Sequence, residues 1–398
     1  MAINQIAVYL CKLLCAVIVV AIIMDLLFDN GDNSKYRDDK KEEIPKERNN
    51  SYSGNYNLII NTYMRSGSTF LGKIFSIRKD TFYVFEPLWK AQTFAFYWGS
   101  RDVCHYSESK CAKQGNEAVS KDIGSSITWE SSKNFLQGVL DCSFTHHKTF
   151  LPDPRHFPKE FPSEKHSWVF GKGPLWDVYF DCANMPQSTY KQCFSLIPPV
   201  CQGAHHKVMK VLRSTLNNFE NMLKTNVNLK VIHLFRDPRG IVNSHLHTRF
   251  YQSRVRTTSQ IERDIKTLCD RMQYDIKIAL RLKRLFPGRF KIVQYETFGD
   301  LFSSARALYK FMKMGLTDEI QKNLGKLIRA ENSTKGFHPF NYRLSLPWAS
   351  ERMANKHCSM VFTSLGYPMF LGWKKFKKKI LTYPKKLPFH KCTNKNIV

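Results

Sequence analysis

Two stretches of this chain share the order of a buried strand, a polar loop and a helix. Residues 56–61 (YNLIIN) form a short apolar run that ends in turn residues, and residues 70–75 (FLGKIF) follow at helical spacing. Residues 229–235 (LKVIHLF) repeat the pattern, and Pro238 suits the first turn of a helix expected over residues 238–247. Strands that alternate with helices lie parallel in one sheet with helices on both faces. The sequence therefore predicts an α/β fold.

Further apolar runs extend the predicted sheet at residues 82–86, 208–212 and 290–294. A long amphipathic helix is expected between residues 261 and 286, because apolar residues recur there at steps of three and four. They are Ile261, Ile265, Leu268, Met272, Ile276, Ala279, Leu282 and Phe286. These elements place the folded domain at residues 55–370.

An apolar segment precedes this domain. Residues 6–24 (IAVYLCKLLCAVIVVAIIM) are interrupted by a single charge, Lys12, and a membrane-spanning helix needs about 20 such residues. We expect a cytoplasmic tail over residues 1–5, a transmembrane signal-anchor over residues 6–28 and a lumenal body, because the positive end stays cytoplasmic. A cleaved signal peptide is the alternative, although its apolar core is usually only about 7 to 15 residues long.

Two polar segments flank the folded domain. Residues 29–54 are charged, rich in Asn and Ser and poor in large aliphatic side chains, which predicts a lumenal stem. Residues 371–398 form a basic C-terminal tail with nine lysines and no acid between Lys374 and Lys395. This tail is either a solvated, frayed terminus or a segment that attracts a sulfated glycan or an anionic membrane.

The charge balance indicates a polyanionic partner. The chain has 61 lysines and arginines against 33 aspartates and glutamates, a formal net charge of +28. Such an excess predicts binding to nucleic acid, an acidic membrane, a phosphorylated cosubstrate or an acidic polysaccharide. Nucleic acid is disfavoured, because the chain combines an expected anchor with many cysteines and has no obvious groove-reading motif.

Nine cysteines follow the expected anchor, and none belongs to a C-x-x-C pair, which disfavours a zinc ribbon. The clusters Cys104/Cys111 and Cys182/Cys193/Cys201 predict disulfides in an oxidising compartment, with connectivity left open. Because nine is odd, at least one thiol should stay unpaired.

The loop at residues 62–69 (TYMRSGST) has the chemistry of a phosphate cradle. Backbone N–H groups at a helix start bind anions, aided by the positive end of the helix dipole. Gly67 lets a ligand approach the backbone closely, Arg65 adds a permanent cation, and the serines and threonine offer hydroxyls. The alternative is a helix start whose side chains only satisfy free N–H groups.

A second polar segment, residues 236–244 (RDPRGIVNS), places cations and a hydroxyl just beyond the strand at residues 229–235. Open parallel sheets bind ligands at this position. The alternative is an Arg/Asp ion pair that serves only the entry of the helix.

Both segments resemble motifs of the Golgi carbohydrate 6-O-sulfotransferases, which include chondroitin 6-sulfotransferase-like enzymes. In that family a TYxRSGSSF-like loop binds the 5′-phosphosulfate end of 3′-phosphoadenosine 5′-phosphosulfate (PAPS), and an RDPRAxxxSR-like segment binds its 3′-phosphate. Similar motifs stand at residues 84–89 (VFEPLW), 210–213 (KVLR), 294–298 (QYETF) and 358–367 (CSMVFTSLGY). The resemblance covers about residues 56–367.

The resemblance implies a P-loop-like sulfotransferase domain, with a central parallel sheet flanked by helices, behind a single transmembrane helix in the Golgi membrane. It also implies PAPS as cosubstrate, no metal, and transfer of sulfonate to the 6-hydroxyl of N-acetylglucosamine, galactose or N-acetylgalactosamine. The implied cofactor-binding residues are Tyr63, Met64, Arg65, Ser66, Gly67, Ser68, Thr69, Phe70, Arg236, Asp237, Pro238, Arg239 and Ser244.

Two residues are expected to act in the chemistry. Arg65 would stabilise the negative charge that grows on the leaving 5′-phosphate. Glu86, where the resemblance places a carboxylate, is the expected general base, because a sugar hydroxyl is a weak nucleophile. The alternative for Glu86 is a structural carboxylate paired with lysine or arginine. Lys210 and Arg213 would contact cofactor or acceptor, or else form a surface ion pair.

The identity of the acceptor is left open. The chain departs from the family motifs at Thr69, Gly240, His245 and residues 347–349 (PWA), where the family often has a Trp-Arg pair. The expected partner is a glycan or glycosaminoglycan, and assembly as a homo-oligomer stays open. The competing class of protein is a membrane-anchored, basic, heparin-binding protein without catalysis.

Overall fold

The structure is a computed structural model of the chain, which divides into two compact units, Met1–Asn50 and Ser51–Val398. The residues described all belong to the second unit. They are residues 56–88, 102–105, 110–113, 129–143, 181–182, 185, 192–212, 214, 216–248, 257–298, 301–335 and 339–377. The expected anchor at residues 6–28 and the stem at residues 29–54 lie outside them. Within those ranges, no helix has the length and apolar character to cross a membrane.

A five-stranded parallel sheet forms the centre of the domain. Its strands are β1 (Asn57–Thr62), β2 (Thr81–Phe85), β5 (His206–Val211), β6 (Leu229–Phe235) and β7 (Phe290–Gln294). Their order across the sheet is β2-β5-β1-β6-β7. A separate antiparallel hairpin joins β3 (Asp102–His105) to β4 (Lys110–Lys113) and sets Cys104 opposite Cys111.

The central strands are buried on both faces. Leu58, Ile59 and Ile60 of β1 are fully buried, and so is nearly every side chain of β6. Near-continuous apolar runs are typical of parallel strands that helices cover on both sides. The parallel α/β sheet predicted from the alternation of strands and helices is therefore confirmed.

Helices lie between the strands of this sheet in sequence, and further helices follow its last strand, β7. They are α1 (Ser68–Ser76), α2 (Trp129–Leu140), α3 (Ile197–Gly203), α4 (Phe219–Thr225), α5 (Pro238–Leu246), α6 (Thr258–Leu285), α7 (Leu301–Met312), α8 (Asp318–Lys335), α9 (Tyr342–Ser345), α10 (Trp348–His357), α11 (Ser359–Leu365) and α12 (Trp373–Lys377). Short 3-10 turns lie at Gln192–Leu196, Leu216–Asn218 and Tyr295–Thr297.

The long amphipathic helix predicted from apolar spacing is α6. It begins at a capping box, in which the Thr257 hydroxyl accepts from the Gln260 N–H while the Gln260 side chain accepts from the Thr257 N–H. This cap explains why the helix starts before its first apolar residue. Its buried face includes Ile265, Met272 and Leu282, each worth roughly 1.5 to 3 kcal/mol of burial.

Three disulfides connect cysteines among the described residues. Cys142 is bonded to Cys201 and Cys182 to Cys193, so Cys201 finds its partner outside the cluster in which it stands in sequence. Cys269 of α6 is bonded to Cys358, between α10 and α11, across 89 residues. In the chain-entropy account, closing a loop of that length raises the free energy of the unfolded chain by about 4.6 kcal/mol.

The folded domain extends past its predicted end at residue 370. Phe376 of α12 is fully buried. The Arg343 side chain donates to the carbonyl oxygens of Phe376 at 2.7 Å and Lys375 at 2.8 Å. The start of the expected basic tail is thus tied to α9, and the part beyond Lys377 lies outside the described residues.

Candidate active site

The two predicted anion-binding segments meet at one edge of the sheet. β1 and β6 are neighbours, and their carboxyl ends lead into residues 63–67 and 236–237. The chain builds β2 and β5 on one side of β1 before it crosses to β6 and β7. Ligands bind at the carboxyl ends of strands where the direction of winding reverses in this way.

The loop after β1 leaves the start of α1 open. Gly67, the N-cap residue, has a φ of +92°, and no side chain caps the helix. A Cβ at this position would lie 2.1 Å from a ring carbon of Tyr295, so both the backbone conformation and the neighbouring ring require glycine. Arg65 also has a positive φ, +66°. The first N–H groups of α1 are thus available to an anion.

Four of the predicted loop residues have side chains that are buried in the protein interior. Tyr63, Ser66, Ser68 and Phe70 are buried. The Tyr63 hydroxyl donates to Asp275 Oδ2 at 2.9 Å, and burial raises the pKa of Tyr63 well above its ordinary value. The sequence singled out these residues as cofactor contacts, but their side chains face the interior, and any contact falls to the backbone.

The Arg65 side chain bridges the two segments. Its Nε donates to the Ser244 hydroxyl at 3.0 Å, and Arg236 Nη1 donates to the Arg65 carbonyl oxygen at 2.7 Å. The Arg236 guanidinium lies 4.4 Å from the centre of the Tyr295 ring, and its buried Nε has no hydrogen-bond partner among the described residues. The structure thus brings Arg65, Arg236 and Ser244 together, as the sequence predicted.

Asp237, Pro238 and Arg239 are placed differently. Asp237 accepts from the Arg239 backbone N–H and pairs with its guanidinium at 2.7 Å. Arg239 is fully buried and also pairs with Glu351 at 3.1 Å, while Pro238 is buried in the first turn of α5. The ion pair at a helix entry, which the sequence offered as the alternative, is present. The part of these three residues in cofactor binding stays a prediction.

A buried acid beneath this helix entry was not predicted. Glu296 Oε1 accepts from the Asp237 N–H at 2.9 Å, and its Oε2 accepts from the Tyr367 hydroxyl at 2.7 Å. Burial, reinforced by the nearby Asp237 carboxylate, raises the pKa of Glu296 to about 7. The QYETF motif marks the position in sequence, but no pattern there indicates the burial of its carboxyl group.

Glu86 stands on the other side of the loop, at the carboxyl end of β2. Its carboxylate lies 3.1 Å from Lys210 Nζ, which also donates to the Thr69 hydroxyl at 3.1 Å. Lys210 is 2% exposed and Glu86 15%, so the lysine is enclosed while the carboxylate keeps access to solvent. The ion pair that the sequence offered as the structural alternative is therefore present, and Lys210 links Glu86 to the loop at residues 62–69. Arg213 lies outside the described residues.

The backbone of Glu86 is strained. Its φ is +48°, a left-handed conformation that costs a residue with a side chain on the order of 1 kcal/mol or more. The conformation is held by the hydrogen bond from the Glu86 N–H to the Lys210 carbonyl at 2.9 Å. Such conformations cluster at functional sites, where they aim a side chain.

These features fit a ligand with two anionic ends. Open N–H groups at α1, the exposed Arg65 cation and the unpartnered Arg236 Nε suit phosphate or sulfate oxygens. Within the described ranges, no group of three or more His, Cys, Asp and Glu is arranged to hold a metal ion.

The chain is similar to several known proteins over most of its length. Carbohydrate sulfotransferase 1 of Danio rerio is 23% identical over 357 residues, covering 82% of this chain and 81% of the relative. Carbohydrate sulfotransferase 6 of Homo sapiens is 22% identical over 346 residues, covering 78% of this chain and 80% of the relative. The crystal structure of sulfotransferase STF9 from Mycobacterium avium is 14% identical with a TM-score of 0.36, covering 76% of each chain.

The family model described as the sulfotransferase family matches residues 58–318, well over half of the chain. The match begins in β1 and includes the loop at residues 62–69, Glu86, Lys210 and the segment at residues 236–244. The chain therefore belongs to the sulfotransferase family of enzymes.

Proposed function

We propose that the chain moves a sulfonate group from PAPS to a sugar hydroxyl, the 6-hydroxyl of N-acetylglucosamine, galactose or N-acetylgalactosamine in a glycan or glycosaminoglycan. The observation that carries the proposal is the meeting of Arg65, Arg236 and Ser244 beyond the ends of β1 and β6. Glu86 is linked to the same loop through Lys210 and Thr69. The named relatives are carbohydrate sulfotransferases, which supports a sugar as acceptor.

The two anion-binding segments would hold the two ends of PAPS, which supplies the sulfonate and a phosphate leaving group. The open N–H groups of α1 and Arg65 would bind the 5′ end, where charge grows during transfer. Arg236 and Ser244 would bind the 3′-phosphate. Because Arg65 already touches Ser244, a single guanidinium lies between the two anion sites.

Glu86 would accept the proton of the attacking hydroxyl. Its carboxylate is partly exposed, held by Lys210 and fixed in direction by the strained backbone, as a general base must be. Because Lys210 also donates a hydrogen bond to the Thr69 hydroxyl, it would hold the Glu86 carboxylate in a fixed position relative to the loop at residues 62–69.

The location we propose is the Golgi membrane, in a single-pass type II orientation with the catalytic domain in the lumen. The apolar run at residues 6–24 supports an anchor. The disulfides support an oxidising compartment.

Nucleotide binding separates this proposal from a heparin-binding protein without catalysis. The desulfated product, 3′-phosphoadenosine 5′-phosphate (PAP), should raise the melting temperature of the full chain, because a ligand selective for the folded state adds about 2.7 kcal/mol at 100 times its Kd. The control ligand is 5′-AMP, which lacks the 3′-phosphate. A shift with heparin and none with PAP would favour the binding protein.

A further inference from the structure

The ring of Tyr295 lies between the two anion-binding segments. Tyr295 is the first residue of the 3-10 turn that follows β7, and its side chain is half-buried. On one segment, a Cβ at Gly67 would lie 2.1 Å from Tyr295 Cε2, so the ring packs against the backbone at the start of α1. On the other segment, Arg236 Cζ lies 4.4 Å over the centre of the ring. One side chain therefore contacts both segments.

The same turn also holds the backbone of the second segment. The fully buried Glu296 accepts from the Asp237 N–H at 2.9 Å. Because Tyr295 and Glu296 are adjacent in the chain, the turn fixes the backbone at the entry of α5 with one residue and contacts the Arg236 side chain with the other. The fold thus sets the position of the ring relative to the segment that carries Arg236.

The Arg236 guanidinium has few other contacts that orient it. Among the described residues it forms no ion pair, and its one hydrogen bond runs from Nη1 to the Arg65 carbonyl oxygen at 2.7 Å. It also lies close to Gly240, where a Cβ would be 2.9 Å from Arg236 Nε. A single hydrogen bond lets a guanidinium rotate about it, whereas a ring beneath the guanidinium fixes the plane in which the other N–H groups donate.

We propose that Tyr295 is a positioning residue that gives the site its preference for a 3′-phosphorylated nucleotide. By holding the Arg236 guanidinium in one plane, the ring would direct its remaining N–H groups towards the 3′-phosphate without touching that phosphate itself. The inference rests on the proposed function, in which Arg236 binds the 3′-phosphate. Removing the ring should therefore act as a partial loss of Arg236.

Calorimetric titration of the full chain with PAP and 5′-AMP tests the proposal. The measured quantity is the Kd of 5′-AMP divided by the Kd of PAP, which isolates the 3′-phosphate because both nucleotides share the adenosine and the 5′-phosphate. Tyr295→Leu should lower this ratio roughly threefold to thirtyfold, the range that a guanidinium–ring contact contributes. Tyr295→Phe, the matched control that keeps the ring, should change the ratio by less than about twofold.

Two further variants separate positioning from a general loss of structure. Tyr295→Met removes the ring but keeps a longer, unbranched side chain against Gly67, and it should lower the ratio even if the leucine variant does not fold. In an Arg236→Ala chain, adding Tyr295→Leu should lower the ratio no further, because the group that the ring positions is already gone.

An unchanged ratio in the leucine and methionine variants would overturn the proposal, whatever their melting temperatures. A ring that only supports the loop, or that stacks on the adenine, would weaken both nucleotides equally and give this result. A further fall of the ratio in the Arg236→Ala chain would also overturn it, since the ring would then act without Arg236. An unmodified chain that binds PAP no more tightly than 5′-AMP would contradict the proposed function itself, so the two failures are distinguishable.

Discussion

Glu86 is the residue on which the proposed chemistry depends. Replacing Glu86 with glutamine keeps its shape but removes a group that can accept a proton at neutral pH. Turnover should fall by about 10² to 10⁴, because general base catalysis contributes on that scale. Affinity for PAP should stay nearly constant, since the ion-pair partner of the carboxylate is Lys210 and the two phosphates are assigned to other residues. Single-turnover rates and PAP titrations on one preparation measure both.

The control for this variant is Glu262→Gln, the same change at a carboxylate of α6 paired with Lys356 and His357. It should leave turnover unchanged. A Glu86→Gln enzyme with a lowered melting temperature and a normal rate constant would show that Glu86 is only the ion-pair partner of Lys210.

Replacing Arg236 tests its proposed role in binding the 3′-phosphate of the cofactor. Arg236→Ala should weaken PAP far more than adenosine 5′-phosphosulfate, which lacks that phosphate. A charge-assisted hydrogen bond is worth about 1.5 to 3 kcal/mol, so the preference between the two ligands should fall roughly tenfold to hundredfold. Calorimetric titration measures it, with Arg263→Ala on the exposed side of α6 as control. If the binding of both nucleotides were weakened equally, Arg236 would not contact the 3′-phosphate, and its role would be the hydrogen bond to the Arg65 carbonyl oxygen.

At the residue scale, the sequence predicted the meeting of the two anion-binding segments because each follows a strand of one parallel sheet. It could not show that Lys210 pairs with Glu86, a contact across 124 residues. It also could not show that Asp237 and Arg239 are buried, because their burial depends on contacts with Tyr342 and Glu351, more than 100 residues further along the chain. Local pattern does not determine which of two arginines in one motif is enclosed.

At the scale of elements, apolar runs located the sheet well. β7 has the predicted limits, and β2 ends one residue before the predicted end, where the Glu86 backbone turns left-handed. The C-terminal helices α9 to α12 were not predicted, because they are short and are held by contacts with α5, with α6 and with one another. The buried disulfide between Cys269 and Cys358 and the ion pair of Glu351 with Arg239 are such contacts.

The Glu296 carboxyl group links the Asp237 N–H at the entry of α5 to the Tyr367 hydroxyl after α11. Its pKa of about 7 predicts that the stability of the protein depends on pH. Because this pKa lies above the ordinary value of 4.5, the folded protein keeps a proton on Glu296 between about pH 4.5 and pH 7, where the unfolded chain has released it. Its stabilising contribution is present at low pH and is lost as pH rises towards 7. Glu296→Gln cannot titrate. The free energy of unfolding of the variant relative to wild type should therefore rise by about 2 to 3 kcal/mol from about pH 5 to about pH 8.

Urea unfolding of both proteins at the two pH values measures this difference. Comparing variant with wild type cancels the contributions of other groups, such as the buried His233, whose pKa burial lowers. Glu319→Gln, the same change at an exposed carboxylate of α8, should show no such trend. Parallel profiles for Glu296→Gln and wild type would mean that Glu296 stays ionised in the folded state.

At the scale of the whole molecule, the net charge of +28 agrees with an enzyme whose cosubstrate and product are anions. Composition alone left four classes of polyanionic partner open. The geometry at the ends of β1 and β6 favours a phosphorylated cosubstrate, and the family match establishes a sulfotransferase.

Transfer of radioactive sulfonate from PAPS to a panel of desulfated glycans tests the central claim most directly. Incubated with chondroitin, keratan and N-glycan acceptors, the full chain should label at least one of them at the 6-position, and Glu86→Gln should reduce that labelling by about 10² or more. Blocking the 6-hydroxyls of the labelled acceptor should abolish transfer. A full chain that is stabilised by PAP yet labels no glycan, or labels the blocked acceptor equally well, would contradict the account.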